Sequence, residues 1–347
     1  MSQNNLKLSC PYTCDMSEPT VLITGASGLV GNAISSTFLR THKLLTPSHK
    51  ELDITNNKEV AAYITRNNPT VIIHAAAFTD NNKAEGERGD KKGMCWRVNV
   101  EGTKNIVEAA DKIGAYVIYI STGSVFAGDD AHPGPFTEND ATSPESALSW
   151  YAWTKAVAES LIVSGAIIRL SHPVSKNNVS ENLDYIHRIV KLYDEGKLYP
   201  LFTDQLFPIT YIEDVITAIA TIIGRISLRS AHVLGALRQG SGQASCVYPE
   251  RSRGTAKRVP PRDIYHIASR DSVSPYELAR YAIQKARGVK NPALTKTTFD
   301  AFVKGVSLPK RYAKYCAIDG SESRKRLKIP ARSWREIVDC LYPRAGI

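Results

Sequence analysis

Three glycines, each three residues after the one before, follow a short apolar run near the start of the chain. The stretch reads VLITGASGLVG over residues 21–31, and NAISSTFLRT at 32–41 predicts a helix after it. In a strand–turn–helix setting the first glycine permits the turn, the second lets a pyrophosphate approach the backbone, and the third lets helix and strand pack closely. The stretch therefore predicts a dinucleotide-binding turn formed by Gly25, Ser27, Gly28, Leu29, Val30 and Gly31.

Short apolar segments alternate with helical segments as far as residue 171. Continuous apolar strands separated by helices are typical of a parallel sheet that helices cover on both faces. Right-handed crossovers then give a doubly wound α/β fold of the NAD(P)-binding, or Rossmann, type. The predicted strands are 20–25, 43–48, 70–77, 116–122 and 166–171, and the predicted helices are 32–41, 57–67, 96–114 and 150–163.

Beyond residue 171 the alternation fades, and we predict a smaller C-terminal α/β substrate domain joined to the sheet. Helical patterns there cover 181–196, 213–226, 274–288 and 333–344. The predicted division assigns 17–171 with about 204–235 to the dinucleotide-binding domain, and 172–203 with 258–347 to the substrate domain. Residues 1–16 are polar and aperiodic, which predicts a disordered extension or an upstream start codon chosen in error.

The chain carries a net charge of +10, and the distribution of that charge argues against a nucleic-acid interface. Residues 236–262 hold six basic residues and one acid, so this segment alone accounts for half of the charge. The part at 236–257 is rich in Gly, Ser, Gln and Arg, which predicts an inserted flexible loop. A solvated loop without function and a basic docking loop are both open for it.

Composition further predicts a cytoplasmic protein that does not enter a membrane. No apolar run approaches the roughly eighteen residues of a membrane span, and the N-terminus lacks the basic-then-apolar order of a signal peptide. The six cysteines form no CxxC pair, which argues against a metal knuckle or a redox dithiol. We therefore expect a reducing compartment and assign no metal ligands.

The end of the second predicted strand favours NADP(H) over NAD(H). An NAD site usually places a carboxylate there for the ribose hydroxyls, whereas this chain has Thr-Pro-Ser-His-Lys at 46–50. The hydroxyl of Ser48 and the ammonium of Lys50 suit a 2′-phosphate, although Lys50 also fits a plain surface position. Asp53, followed by Ile54, is a candidate for the adenine edge.

A tyrosine and a lysine spaced four apart offer acid–base chemistry on the predicted helix 150–163. Tyr151 and Lys155, in SWYAWTKAVAE, share one helix face, and a surface pair is the alternative. Bringing a tyrosine from its ordinary pKa of about 10 to near 7 takes about 4 kcal/mol, which a fixed ammonium and a cofactor's positive charge can supply. Thr122, at the carboxyl end of a strand, places a hydroxyl where a substrate carbonyl would bind.

Several stretches spread along the chain carry a family resemblance. They are the glycine turn, PTVIIHAAAFTDNNKAE, RVNVEGTKNIVEAA, SWYAWTKAVAE, DQLFPITYIEDV and RYAKYCAIDGSESRKRLKI. Over roughly 19–235 and 263–343 the chain resembles the extended short-chain dehydrogenase/reductase family. The resemblance implies that Thr122 polarises a substrate carbonyl, Tyr151 protonates the developing alkoxide and Lys155 supports the tyrosine and the cofactor ribose. It also implies Ala75, Ala76, Ala77 and Asn99 on the cofactor side, and Ser124 and His172 on the substrate side.

The activity implied by the resemblance is reduction, by NAD(P)H, of the 4-keto group of a nucleotide-activated deoxysugar. The chain departs from the family pattern where substrate is expected, at Gly123-Ser124, Trp153, His172 and Tyr312. Family members often form homodimers, and a Mg²⁺ requirement has no sequence signal.

Three alternatives stay open from the sequence. One is an epimerase or dehydratase of the same family, although Gly123-Ser124 replaces the acidic pair that a dehydratase typically has. Another is a non-catalytic NADP-binding regulatory subunit resembling that of methionine adenosyltransferase. The last, a nucleic-acid binder, rests on the basic insertion alone.

Overall fold

A computed structural model of the chain describes residues 19–176, 183–239, 262–305 and 313–343. The predicted extension at 1–16, Tyr312 and most of the predicted insertion at 236–257 lie outside the described residues. The exception is 236–239, which forms the end of a helix. The predicted start of the inserted loop at residue 236 is therefore wrong, because residues 236–239 are helical.

In the described residues, ten strands form one large and two small parallel sheets. The strands are β1 (Thr20–Thr24), β2 (Lys43–Leu45), β3 (Val71–His74), β4 (Tyr116–Thr122), β5 (Ala166–Leu170), β6 (Pro173–Val174), β7 (Leu201–Phe202), β8 (Thr210–Tyr211), β9 (Asp263–Ile267) and β10 (Lys296–Thr297). The main sheet has the order β2-β1-β3-β4-β5-β9, with every pair parallel. This order confirms the predicted doubly wound sheet.

Helices connect the strands and continue beyond the sheet. They are α1 (Leu29–Phe38), α2 (Asn57–Asn67), α3 (Asn81–Gly86), α4 (Met94–Trp96), α5 (Thr103–Ile113), α6 (Trp150–Leu161), α7 (Tyr185–Asp194), α8 (Ile212–Gln239), α9 (Pro275–Arg287), α10 (Phe299–Val303), α11 (Ser321–Leu327) and α12 (Trp334–Leu341). A π-helical turn, Arg97–Gly102, precedes α5, and a 3₁₀ turn, Gly123–Val125, follows β4. In the described parts of the chain, no helix combines the length and apolar character needed to cross a bilayer.

Both faces of the main sheet are buried under helices. Successive side chains of a strand point to opposite faces, so each strand contributes to both cores. Val21 and Ile23 of β1 pack in one core with residues of α1 and α8. Leu22, between them, packs in a second core with residues of α2 and α5. The predicted strands 43–48 and 70–77 end early, at Leu45 and His74, because the residues after them leave the sheet and line a cleft.

A separate core lies beside the sheet and is built mainly from α7, α9 and α12. The two small sheets, β6 with β8 and β7 with β10, adjoin it. The predicted division places 258–347 in this second unit, but β9 pairs with β5 over its whole length and is the sixth strand of the main sheet. Residues 263–267 therefore belong with the sheet, and the other predicted boundaries stay a prediction.

Candidate active site

The glycine turn joins β1 to α1 at one end of a large cleft. Gly25 has a φ of +71°, in the region that favours glycine, and a Cβ there would lie 2.6 Å from the Cα of Ala76. A Cβ on Gly31 would overlap the Gly25 carbonyl oxygen, so this glycine lets α1 pack against the turn. A Cβ on Gly28 would meet no described atom nearer than 3.4 Å, and Gly28 is exposed. Gly28 therefore leaves space for a ligand, whereas Gly25 and Gly31 serve the fold.

The start of α1 is equipped to receive phosphate groups. Its N-cap residue is Gly28, which has no side chain to bond the first N–H groups, and its first turn contains no acidic residue. Free N–H groups and the positive end of the helix dipole attract anions at such a position. Ser27, Leu29 and Val30 line the cleft around this turn. These features fit the pyrophosphate of a dinucleotide.

The segment after β3 forms the cleft wall facing the glycine turn, and a buried histidine holds it in place. Ala75, Ala76 and Ala77 all line the cleft. The preceding His74 is fully buried, with Nδ1 at 2.7 Å from the Thr24 hydroxyl and Nε2 at 3.0 Å from the Thr103 hydroxyl. Burial lowers the pKa of His74 to about 3, so the ring is neutral and acts as a fixed hydrogen-bonding bridge.

The loop after β2 contributes Ser48, His49 and Glu51 to the cleft wall, whereas Lys50 is exposed outside the lining. Ser48 donates from its backbone N–H and from its hydroxyl to one Glu51 oxygen, both at 2.8 Å. These hydrogen bonds lower the pKa of the Glu51 carboxyl. A carboxylate therefore does reach this loop. This carboxylate was not predicted, because Glu51 follows the 46–50 segment and folds back onto Ser48.

Two further predicted cofactor residues, Asp53 and Ile54, also line the cleft. The Asp53 carboxylate accepts from the backbone N–H and the hydroxyl of Thr55, both at 2.9 Å. These bonds fix the carboxylate and leave its other oxygen available to a ligand. The side chain of Ile54 packs closely over Gly102, where a Cβ would lie 2.8 Å from Ile54 Cδ1.

Asn99 lies behind the cleft wall rather than in it. Its Oδ1 accepts from the Phe78 backbone N–H at 2.8 Å, and its Nδ2 donates to the Thr154 hydroxyl at 2.9 Å. Phe78 follows the cofactor-side wall, and Thr154 precedes Lys155 on α6. Asn99, buried in the π-helical turn, therefore joins these two parts of the site and acts as a positioning residue.

The predicted catalytic residues Thr122, Tyr151 and Lys155 face the same cleft as the glycine turn. Lys155 is 2 % exposed, and its Nζ donates to the Ile120 carbonyl oxygen at 2.8 Å. The same ammonium lies 4.0 Å from the centre of the Tyr119 ring, a favourable cation–π position. These contacts fix the lysine between α6 and β4.

Burial moves the pKa values of the tyrosine and the lysine in opposite directions. It raises the pKa of Tyr151 to about 12, and a hydrogen bond with Thr122 opposes this rise. Burial lowers the pKa of Lys155 to about 7, although the nearby Glu159 and Cys95 act to raise it. A lysine beside the tyrosine predicts a lowered tyrosine pKa, whereas here the loss of water around the phenol dominates and raises it. A phenol that keeps its proton at neutral pH is the form that donates one, so this arrangement suits reduction of a carbonyl.

Two sets of contacts hold α6, and sequence reasoning did not identify them. Ser149 caps the helix by accepting the Ala152 N–H, and the buried Glu85 carboxylate accepts the Trp150 N–H at 2.8 Å. Arg88 donates to Glu85 at 2.6 Å. Glu85 thereby fixes the turn of helix that carries Tyr151.

The second set is a buried ion pair one turn beyond Lys155. Glu159 accepts from Arg169 at 2.7 Å and from the hydroxyl of Ser121, the neighbour of Thr122, at 2.6 Å. Arg169 Nη1 lies 3.2 Å from His266 Nε2 on β9. The sequence offers one signal for this pair: Glu159 lies four residues after Lys155 and therefore on the same helix face. Nothing in the sequence identifies Arg169 as its partner.

The other end of the cleft, here called the substrate end, is formed by Leu170–Pro173, Leu183, Arg188 and Cys316. His172 has a φ of +45°, and its ring stacks on Phe207 with ring centres 3.9 Å apart. Burial lowers its pKa to about 4, so it presents a neutral ring. Ser124 lines the nearby wall and accepts a hydrogen bond from Thr122 at 3.1 Å. Ser124 and His172 were predicted at this end, whereas Leu183, Arg188 and Cys316 were not. Leu183 and Arg188 lie far from any motif, and Cys316 lies within the RYAKYCAIDGSESRKRLKI stretch.

The cleft has a volume of about 1440 Å³. Pockets for one small ligand usually measure about 300–1,000 Å³, so this cleft has room for a dinucleotide and a second ligand. Among the described residues, no group of three or more His, Cys, Asp and Glu side chains is placed to hold a metal ion.

A doubly wound parallel sheet, a glycine turn and a Thr–Tyr–Lys set facing one cleft define the extended short-chain dehydrogenase/reductase class. Within this class the chain belongs to the RmlD substrate binding domain family, whose sequence model matches residues 19–248.

Named relatives agree with this membership. A dTDP-4-dehydrorhamnose reductase from Sinorhizobium fredii (strain NBRC 101917 / NGR234) is 30% identical over 229 residues, which cover 64% of this chain and 73% of that protein. One from Streptomyces griseus is 25% identical over 328 residues, covering 94% and 93%. The crystal structure of the Bacillus anthracis str. Ames dTDP-4-dehydrorhamnose reductase, in complex with NADP, has a TM-score of 0.69 at 22% identity and covers 94% of this chain and 99% of that one. This last likeness shows the shared fold.

Proposed function

We propose that the protein uses NADPH to reduce the 4-keto group of a dTDP-linked deoxysugar, the reaction of a dTDP-4-dehydrorhamnose reductase. The observation that carries the proposal is the single cleft shared by the glycine turn and by Thr122, Tyr151 and Lys155. The curated relatives, at 30% and 25% identity, support the substrate class.

The cofactor-binding residues in this proposal are those that line the cleft from the glycine turn to the loop after β2. The turn at Gly25–Gly31 would hold the pyrophosphate, Asp53 and Ile54 the adenosine, and Ala75–Ala77 the nicotinamide side. The bound nicotinamide supplies the hydride. Lys155 would also bond the nicotinamide ribose.

The remaining chemistry belongs to the side chains of this chain. Reduction adds a hydride to C4 of the sugar and a proton to its oxygen. Tyr151 donates its phenolic proton to that oxygen, while the Thr122 hydroxyl turns from Ser124 and donates a hydrogen bond to it. Lys155, fixed by the Ile120 carbonyl, stabilises the phenolate that is left. Ser124 and His172 contact the sugar from the substrate end.

A preference for NADPH over NADH is part of the proposal. Ser48 and His49 line the cleft beside the proposed 2′-phosphate position. His49 offers a ring N–H, and the Ser48 hydroxyl would turn from Glu51 to donate to the phosphate. The negative charge of Glu51 opposes this preference. One Glu51 oxygen accepts two hydrogen bonds from Ser48, which partly offset that charge. Contact of Lys50 with the 2′-phosphate, a cytoplasmic location and a homodimer stay predictions, and a Mg²⁺ requirement is not assigned.

The regulatory-subunit alternative is not favoured, because the relatives described above are named as reductases and the Thr–Tyr–Lys set faces the cleft. A dehydratase of the same family is disfavoured by Gly123-Ser124, which supplies no acid beside Thr122.

The test is NADPH oxidation with dTDP-4-dehydro-6-deoxy-L-mannose, compared between wild type and Tyr151→Phe. We expect turnover in the wild type and a loss of 10²-fold or more in the variant, because a general acid contributes on the order of 10²–10⁴. The matched control is Tyr276→Phe, which removes a phenol hydroxyl outside the cleft lining and should retain wild-type activity. Absence of wild-type turnover together with tight NADPH binding would contradict the proposed substrate.

A further inference from the structure

The substrate end of the cleft carries a positive charge and no carboxylate. None of its lining residues, Leu170–Pro173, Leu183, Arg188 and Cys316, is Asp or Glu. His172 is neutral near pH 7 because burial lowers its pKa to about 4. Arg188 is therefore the one full cation among the described residues of this end. An anionic group of a ligand would be attracted here.

The guanidinium of Arg188 is not engaged within the described parts of the chain. Arg188 is exposed, and no hydrogen bond or ion pair joins its side chain to another described residue. The acids on and beside α7 are paired elsewhere: Asp184 with His187, Asp194 with Arg287, and Glu195 with Lys191 and Lys197. An arginine that lines a cleft without an acid partner is available to a ligand.

The backbone that carries Arg188 is nevertheless fixed relative to the cleft. Asp184, the N-cap of α7, is buried, and its carboxylate accepts from the His187 N–H at 2.9 Å. It also accepts from the Ser175 N–H at 3.3 Å, just after β6. The first turn of α7 is thus joined to the segment that follows His172. The backbone of Arg188 is therefore held at the substrate end of the cleft.

We propose that Arg188 binds the diphosphate of the nucleotide-sugar substrate; this inference rests on the proposed function. A guanidinium offers paired N–H donors that match phosphate oxygens, and a nucleoside diphosphate sugar carries its negative charge in that group. The cofactor's pyrophosphate is assigned to the glycine turn, at the other end of the cleft. Arg188 therefore serves the second ligand.

The experiment is calorimetric titration of the full-length protein with three probes: dTDP, thymidine and NADPH. The variants are Arg188→Ala and Arg188→Lys, with Lys191→Ala as the matched control. Lys191 lies on the same helix, outside the cleft lining, and contacts Glu195. We expect Arg188→Ala to weaken dTDP about tenfold to a hundredfold, the range for a lost charge-assisted contact. Arg188→Lys should weaken it less, and thymidine and NADPH should bind all four proteins alike.

Three other results would overturn the proposal, and each has a different meaning. Equal dTDP affinity in wild type and Arg188→Ala would remove Arg188 from the site while leaving the proposed function intact. A wild-type protein that binds NADPH but no dTDP would overturn the substrate class and Arg188's role together. Weakened NADPH binding in Arg188→Ala would assign the residue to the cofactor instead. NADPH binding in each variant also reports that the variant is folded.

Discussion

Two alanine substitutions in the glycine turn separate ligand approach from protein packing. Gly28→Ala adds a methyl group that meets no described atom nearer than 3.4 Å, on the exposed side facing the cleft. Gly31→Ala adds the same methyl group where it overlaps the Gly25 carbonyl oxygen. Both changes are chemically identical and lie three residues apart, so each serves as the control for the other.

The structure sets different magnitudes for the two variants. Overpacking costs about 1–3 kcal/mol, and alanine in a helix recovers at most about 1 kcal/mol over glycine. The added methyl group meets a backbone oxygen, which cannot rotate away, so the overpacking cost should lie at the upper end of its range. Gly31→Ala should therefore lower the free energy of unfolding by about 2 kcal/mol, which is about 3 less about 1. Gly28→Ala, at the N-cap, should cost about 1 kcal/mol or less. A methyl group placed against a bound pyrophosphate costs about 1–3 kcal/mol, so NADPH affinity should fall about fivefold to a hundredfold.

The assays are denaturant unfolding and titration of NADPH followed by nicotinamide fluorescence. Gly28→Ala should keep near-wild-type stability and lose NADPH affinity, whereas Gly31→Ala should lose stability. Wild-type NADPH affinity in Gly28→Ala would refute the placement of the pyrophosphate at this turn. Wild-type stability in Gly31→Ala would refute the packing argument.

Two further predictions concern charges in the cleft. The pKa of Lys155 is lowered to about 7, so between about pH 7 and its ordinary value near 10.4 the unfolded chain binds a proton that the folded chain does not. The free energy of unfolding of the wild type should therefore rise with pH across this range relative to Lys155→Met, and a constant difference between the two would contradict the burial argument. Glu51→Gln removes the carboxylate beside Ser48, so the ratio of kcat/KM for NADPH over NADH should increase several-fold by relief of like-charge repulsion. An unchanged ratio would show that the 2′-phosphate binds away from this loop.

The sheet and the glycine turn were predictable because they depend on local sequence. Apolar runs separated by helical segments predicted five of the six strands of the main sheet, and the glycines gave the turn its place. The sixth strand, β9, was assigned to the wrong unit. It follows the insertion and a long stretch of second-unit residues, and only pairing with β5 shows where it belongs.

Contacts between distant segments account for what the sequence did not reveal in the site. Glu85 holds the start of α6 from 65 residues away, and Arg188 reaches the cleft from a helix with no recognisable motif. The raised pKa of Tyr151 was also unpredictable, because burial depends on how tightly the cleft walls pack around the phenol. Asn99 was placed on the right side of the site, but its role as a link between Phe78 and Thr154 required the folded chain.

The most direct test of the proposed reduction is to follow the hydride itself. NADPH carrying deuterium at both C4 positions of the nicotinamide is incubated with the protein and dTDP-4-dehydro-6-deoxy-L-mannose, and the sugar product is analysed by NMR and mass spectrometry. The proposed reaction gives one deuterium at C4 of the sugar, and labelled product should form about a hundredfold or more slowly with Tyr151→Phe. NADPH bound tightly by the wild type, with no deuterium in the sugar, would contradict it.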